Sequence, residues 1–198
     1  MEAARKGDLL FMLSQREPFY TITDIENLPE GQRAELIAGR MYMMASPTLT
    51  HQEILLWLSA EILHHIQSNK GKCKVIPSPF GVFIKKDVHN YLEPDISVIC
   101  DKNKLDQKGC HGAPDWVIEI VSPSSRLMDY QLKLSLYQEA GVREYWIVDY
   151  NTREIQVYSF RQSETPIVYT FGNIIESETL PGLALDFSRL SEYIEPKL

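Results

Sequence analysis

Glu93-Pro94-Asp95-Ile96-Ser97-Val98-Ile99-Cys100 and, further along, Asp115-Trp116-Val117-Ile118-Glu119-Ile120-Val121 are the stretches around which the chain can be arranged. Both are short, rich in β-branched residues and bounded by Pro, Gly and charged loops, so both predict strands. Alternate side chains of a strand share a face. Glu119 therefore stands with Val117 and Val121, where a buried strand would carry another apolar residue. Asp95 opens a strand that is otherwise apolar apart from Ser97. An ionised carboxylate in such surroundings costs several kcal/mol unless a cation or donors compensate it. Two of them on neighbouring strands suggest a shared metal ion.

Working outward, residues 126–140 predict a helix with Leu127, Leu132, Leu136 and Ala140 as its apolar stripe and Gly141 as its stop. Residues 144–149 predict the next strand, which makes a strand–helix–strand crossover. Residues 153–160 and 166–171 predict a hairpin, and Pro181-Gly182 a turn before a short amphipathic end. Upstream, residues 21–28 predict a short helix with Thr23 as N-cap and Glu26 completing a capping box. Glu35-Leu36-Ile37 and residues 40–44 predict a hairpin turning at Ala38-Gly39. Thr50-His51-Gln52-Glu53 is a second capping-box pattern, opening a helix to Ser68 with apolar residues at 54, 55, 58 and 62. Residues 73–84 predict two neighbouring strands parted by Pro77 and Pro79. The fold class expected is α/β with mixed α+β character: a central mixed sheet flanked by helices, with added hairpins. One domain over residues 21–198, after an N-terminal arm of residues 1–20, accounts for the pattern.

A chain of 198 residues, 44% of them hydrophobic, can bury a sizeable core. No run reaches the roughly 18 apolar residues that cross a membrane, and charges scattered through residues 1–19 argue against a signal peptide. Cys73, Cys100 and Cys110 are odd in number and lack C-x-x-C spacing, so no disulfide framework is expected and a reducing cytoplasm is the default. The formal net charge of −7 argues against strong non-specific attraction to nucleic acid. Lysine clusters at 70, 72 and 74, at 85 and 86, and at 102, 104 and 108 read first as solvated loops.

A Pro-Asp opening one strand and a Glu within the next is an arrangement suited to Mg²⁺, which takes hard oxygen ligands and keeps several waters. The residues also carry a resemblance. Pro94-Asp95 followed by Glu119 resembles the PD-(D/E)XK nuclease superfamily. More specifically, Glu35-Leu36-Ile37-x-Gly39, Ser46-Pro47-x-x-x-His51, Pro94-Asp95-x-Ser97, Val117-x-Glu119-x-x-Ser122-Pro123-Ser124, Lys133-x-x-x-Tyr137 and Gly141-Val142-x-Glu144-Tyr145-Trp146-Ile147-Val148-Asp149 resemble the Uma-type family of restriction-endonuclease-like proteins. That resemblance implies a restriction-endonuclease-like core and Mg²⁺-dependent hydrolysis of DNA phosphodiester bonds, with Mn²⁺ as a possible substitute. It also implies a homodimer or higher homo-oligomer. Asp95 and Glu119 are the expected catalytic carboxylates, and together with the Ile120 carbonyl they form the expected metal site.

The superfamily pattern puts a lysine two positions after the glutamate, where this chain has Val121. The resembling family shares the gap, and Lys133 on the following helix is the expected replacement. Asp129, four residues earlier, shares its helical face. The alternative is an ordinary surface ion pair worth a few tenths of a kcal/mol. Glu35 is either a third carboxylate of the site or a surface residue. His51 either contacts phosphate or metal, or caps and supports. Intact Asp95 and Glu119 favour an endonuclease, whereas the acidic charge and the absent lysine favour a non-catalytic nucleic-acid-binding or interaction module on the same fold.

Overall fold

The computed structural model describes residues 19–123, 125–163 and 165–194. The arm expected over residues 1–20 lies outside these apart from Phe19 and Tyr20, which belong to the folded body. Tyr20 N–H donates to the Gly39 carbonyl at 2.8 Å, and a Cβ on Gly39 would run into the Phe19 ring. The first helix, α1 (Ile22–Glu26), is capped by Thr21 rather than Thr23; Thr21 N–H donates to the Asp24 carboxylate at 2.7 Å. Strands β1 (Ala34–Ile37) and β2 (Arg40–Met43) form the expected hairpin. Ala38 and Gly39 turn it with φ of 49° and 76°, the left-handed pair that a two-residue turn requires.

Helix α2 (Leu49–Ser68) starts two residues earlier than its capping-box pattern suggests. Thr48 is the cap, its hydroxyl accepting from His51 N–H at 3.2 Å, and Thr50 lies inside the helix. Then follow β3 (Lys74–Pro77), β4 (Val82–Phe83), β5 (Ile96–Ile99), β6 (Cys110–His111) and β7 (Trp116–Ile120). After a wide π-helical turn, Met128–Lys133, come α3 (Leu134–Ala140), β8 (Glu144–Asp149), β9 (Glu154–Ser159) and β10 (Ile167–Thr170). The hairpin β11 (Ile174–Glu176) and β12 (Ala184–Asp186) leads into α4 (Phe187–Ile194).

The central sheet has the order β10-β9-β8-β7-β5-β3. Only β7 and β8 run parallel, joined by the crossover helix, so the sheet is mixed as expected. One pairing differs from the sequence reading. β3 and β4 are not neighbours: β3 pairs with β5, whereas β4 turns away and pairs with β6.

Alternation sorts the sheet's two faces. Trp116, Ile118, Ile120, Trp146 and Val148 pack with Ile54, Leu58 and Ile62 of α2. Each such fully buried side chain stabilises the fold by about 1.5–3 kcal/mol. Val117, Val121, Tyr145 and Ile147 pack on the other face with Leu136 and Tyr137 of α3. There the expected apolar stripe holds at Leu136 and Ala140 but fails before them. Leu127 and Leu132 are 64% and 38% exposed, whereas Asp129 and Lys133 are buried. A π-turn bonds i to i+5 and inserts an extra residue per turn, which rotates the inward face away from a 3.6-residue pattern.

The cysteine reading is also corrected. Cys73 and Cys100 form a disulfide, and Cys110 is the free, buried thiol. The register Lys74↔Ile99 places the two cysteines opposite each other just beyond the paired strands, a proximity that spacing alone does not reveal. The expectation of a reducing compartment therefore loses its premise. Among the described residues no helix is long and apolar enough to cross a membrane.

Candidate active site

The register Ile96↔Ile118 between β5 and β7 brings Asp95, the residue before β5, level with Glu119. Ile120 N–H donates to Asp95 Oδ2 at 2.8 Å, and Asp95 N–H approaches Glu119 Oε2 at 3.4 Å. α2 begins against this end of the sheet, so His51 in its first turn reaches Asp95, with Nε2 3.2 Å from Oδ2. The π-turn supplies the rest. It directs Lys133 inward, and its ammonium stands 2.9 Å from Glu35, 3.1 Å from Glu119 and 3.5 Å from Asp129.

Lys133 and Asp129 are thus no surface pair, and Glu35 is no surface glutamate: they are 5%, 1% and 4% exposed. Glu35 is held in turn by the Glu93 backbone N–H at 3.0 Å. Asp95 is the most open of the carboxylates, with 15% of its side chain exposed. Val121 occupies the absent lysine's position and is buried among apolar neighbours. The lysines at 70 and 72 follow the C-terminus of α2, roughly 30 Å from the His51 end by helix rise. They are not part of this cluster.

Two donors were not assigned a role from sequence. Tyr137 hydroxyl donates to Glu119 Oε1 at 2.6 Å, and Tyr145 hydroxyl donates to the Asp129 carbonyl at 2.9 Å. The first could have been read from the Lys133-x-x-x-Tyr137 spacing, since residues four apart share a helix face.

Burial pushes the Glu119 carboxyl well above the usual carboxylate range; Lys133 opposes this, and Asp129, Asp95 and Glu35 reinforce it. Burial likewise pushes Asp129 up to about 6, against the pull of Lys133. For Lys133, burial works against the charge, but Glu119, Glu35, Asp129 and Asp95 outweigh it and hold the ammonium well above the ordinary lysine range. That direction suits Lys133 to a charged donor rather than to a general base. For His51, desolvation favours the neutral ring, yet Asp95, with help from the Ile120 backbone, raises it overall. Burial first, and then the Glu119 charge, keep the Tyr137 phenol protonated.

Four carboxylates thus surround one lysine and one histidine, leaving an excess of hard, anionic oxygen. Asp129 Oδ1 is buried without a hydrogen bond, with only the 3.5 Å approach of Lys133 to satisfy it. That donor chemistry fits Mg²⁺. Among the described residues no three His, Cys, Asp or Glu side chains already converge on a metal position. The point where Glu35, Glu119 and Asp129 meet holds the Lys133 ammonium, which leaves Asp95 and Glu119 as the carboxylates available to an ion that keeps its waters.

The chain is similar to known proteins on three counts. Over 128 residues it is 28% identical to the uncharacterised Synechocystis protein slr1290, covering 64% of this chain and 66% of the relative, slightly under two thirds of its length. Its fold matches a crystal structure from Anabaena variabilis ATCC 29413 described as "a putative nuclease belonging to DUF820". The TM-score is 0.72 with 20% identity, over 88% of this chain and 98% of the other, which establishes a common fold. Residues 19–188 match the model of the family described as "Uma2: Putative restriction endonuclease", and the chain belongs to that family.

Proposed function

We propose that this protein is a metal-dependent endonuclease that hydrolyses DNA phosphodiester bonds, binding Mg²⁺, or Mn²⁺ in its place, through Asp95, Glu119 and the Ile120 carbonyl. One observation carries the reading: Asp95, Glu119 and Lys133, far apart in sequence, meet in a buried cluster holding more carboxylate than cation. The chemistry such an ion supplies is polarisation of the scissile phosphate and acidification of the attacking water. The chain's own residues supply the rest. The Ile120 N–H and His51 fix Asp95, and the Tyr137 hydroxyl and Lys133 fix Glu119. Lys133, its ammonium held by carboxylate neighbours, donates toward negative charge developing on the phosphate. Glu35 and Asp129 hold the ammonium in place. A homodimer belongs to the same reading, and analytical ultracentrifugation tests it.

The decisive experiment is cleavage of plasmid DNA in Mg²⁺, with EDTA and with Glu119→Ala as controls. Mg²⁺-dependent nicking or linearisation, lost in both controls, is expected; an inert wild type sinks the proposal. One observation favours a second reading, a non-catalytic nucleic-acid-binding or interaction module. The Lys133 ammonium already contacts three carboxylates and is 5% exposed. Wild-type protein that binds DNA in Mg²⁺ without cutting it would establish that module instead.

A further inference from the structure

Arg126 opens the helix that follows β7. Its Nη1 donates to Asp149 Oδ2, and its guanidinium lies 4.8 Å from the centre of the Tyr130 ring. The anchor is firm, because Asp149 is fully buried and has further donors. Its Oδ1 accepts from the backbone N–H of Asn151 at 3.0 Å and of Thr152 at 3.3 Å, and its Oδ2 also faces the Tyr130 hydroxyl at 3.4 Å. The arginine itself is 52% exposed. A guanidinium carries five N–H donors in a rigid fork. Among the described residues Asp149 accepts from one of them, and about half of the side chain lies open to solvent.

The place of this cation matters more than its presence. β7 and β8 are parallel with Ile120 opposite Val148, so Asp149 lies one residue past the Glu119–Ile120 end of the neighbouring strand. Asp95, Glu119 and Asp149 therefore follow one another in strand order along one end of the sheet. Arg126 stands three residues, nearly one helical turn, before Asp129 of the carboxylate cluster. With a net charge of −7 and a carboxylate-rich site, a polyanion needs a local cation to settle here. A planar fork suits a phosphate's paired oxygens.

We propose that Arg126 is a phosphate-binding position, its outward fork holding the backbone phosphate next to the one to be cut, with Asp149 and Tyr130 fixing its aim. The inference rests on the endonuclease reading above. Arg126 is a positioning residue: a held phosphate sets the register of the strand over Asp95 and Glu119 without carrying sequence information.

The test reads binding of a labelled DNA duplex by fluorescence anisotropy across a salt series. It is run in Mg²⁺ with Glu119→Gln as the non-cutting parent, with and without Arg126→Gln. Losing one phosphate contact should weaken binding about tenfold and reduce the slope of log K against log salt by about 0.9. Arg126→Lys keeps the charge but not the fork. It should keep the slope while weakening binding several-fold, and it stands in if the glutamine variant does not fold. A lowered melting temperature with an unchanged slope in Arg126→Gln, or unchanged affinity in Arg126→Lys, overturns the proposal and leaves Arg126 as a structural partner of Asp149. Wild type that cuts DNA while the variant's slope stays put sinks this inference alone. Wild type that binds but never cuts, with the slope still lowered in Arg126→Gln, sinks the endonuclease reading and keeps Arg126 only as a phosphate contact for uncut DNA; protein that binds no duplex sinks both.

Discussion

α2 and the helix that runs from the π-turn into α3 cover opposite faces of the same sheet, yet only α2 follows its own apolar pattern. α2 buries Ile54, Leu55, Leu58, Ile62 and Ile66 in one regular row against an apolar sheet face. The other helix turns Leu127 and Leu132 toward solvent and buries Asp129 and Lys133 instead. Regular winding lets hydrophobic burial select the inward face. The wide turn gives that face to charges, which are tolerable only because they compensate one another over Glu119 and Glu35. Both faces bury apolar side chains, but only the second also holds buried charges, at a cost.

The largest effect expected from this contrast is on the apolar face. Leu58→Ala should lower unfolding free energy by about 3 kcal/mol in urea titrations, while cleavage per folded molecule stays as in wild type. A comparable loss of turnover would blur the division between faces. On the charged face, Lys133→Met should slow cleavage at least about a hundredfold, the scale of one preorganised donor. It should also destabilise the protein more at high pH than at low, since the carboxylates then face one another without a cation. Wild-type turnover in that variant would reduce Lys133 to a structural counterion.

A smaller effect lies in the pH dependence of stability. The folded state holds the Asp129 proton more tightly than its ordinary value of 3.8, up to about 6. The native protein therefore binds more protons than the unfolded chain between those limits, so stability falls as pH rises through them. Asp129→Asn should flatten that fall in calorimetric melts without metal. An unchanged profile would move the effect to Glu119, whose carboxyl is also raised. The smallest change is Thr48→Ala, which should cost about 1 kcal/mol through the α2 cap. A loss of several kcal/mol would mean that Thr48 holds more than its helix, for instance through its 3.3 Å contact with Tyr150.

The same contrast explains what could be read from sequence. β8 spans the residues its β-branched and aromatic run predicts, and the Ala38-Gly39 turn has the backbone that its glycine signals. The buried row of α2 follows directly from its spacing. Local patterns failed where non-local geometry decides. Nothing within residues 126–140 announces a π-turn, because its inward charges are compensated by Glu35 and Glu119, which are remote in sequence. Asp95 and Glu119 were legible as polar intrusions into apolar strands, and Lys133 through the resemblance that Val121 interrupts. The Tyr137 hydroxyl is less legible, because a helical tyrosine on an inward face is ordinarily packing. The caps of α1 and α2 were each displaced by two residues, since Thr21 and Thr23, or Thr48 and Thr50, look equivalent until tertiary contacts choose.

The Cys73–Cys100 bond makes the segment between them a covalent ring, and that ring carries β3, β4, β5 and Asp95. Pulled from its two ends, the oxidised chain can unravel everything except that ring. The 27-residue separation hides about 90 Å of contour length. Stretched in an optical trap, the protein should come out shorter by that amount when oxidised than when reduced, and the missing length would mark the segment bearing Asp95 as the part that force alone cannot straighten.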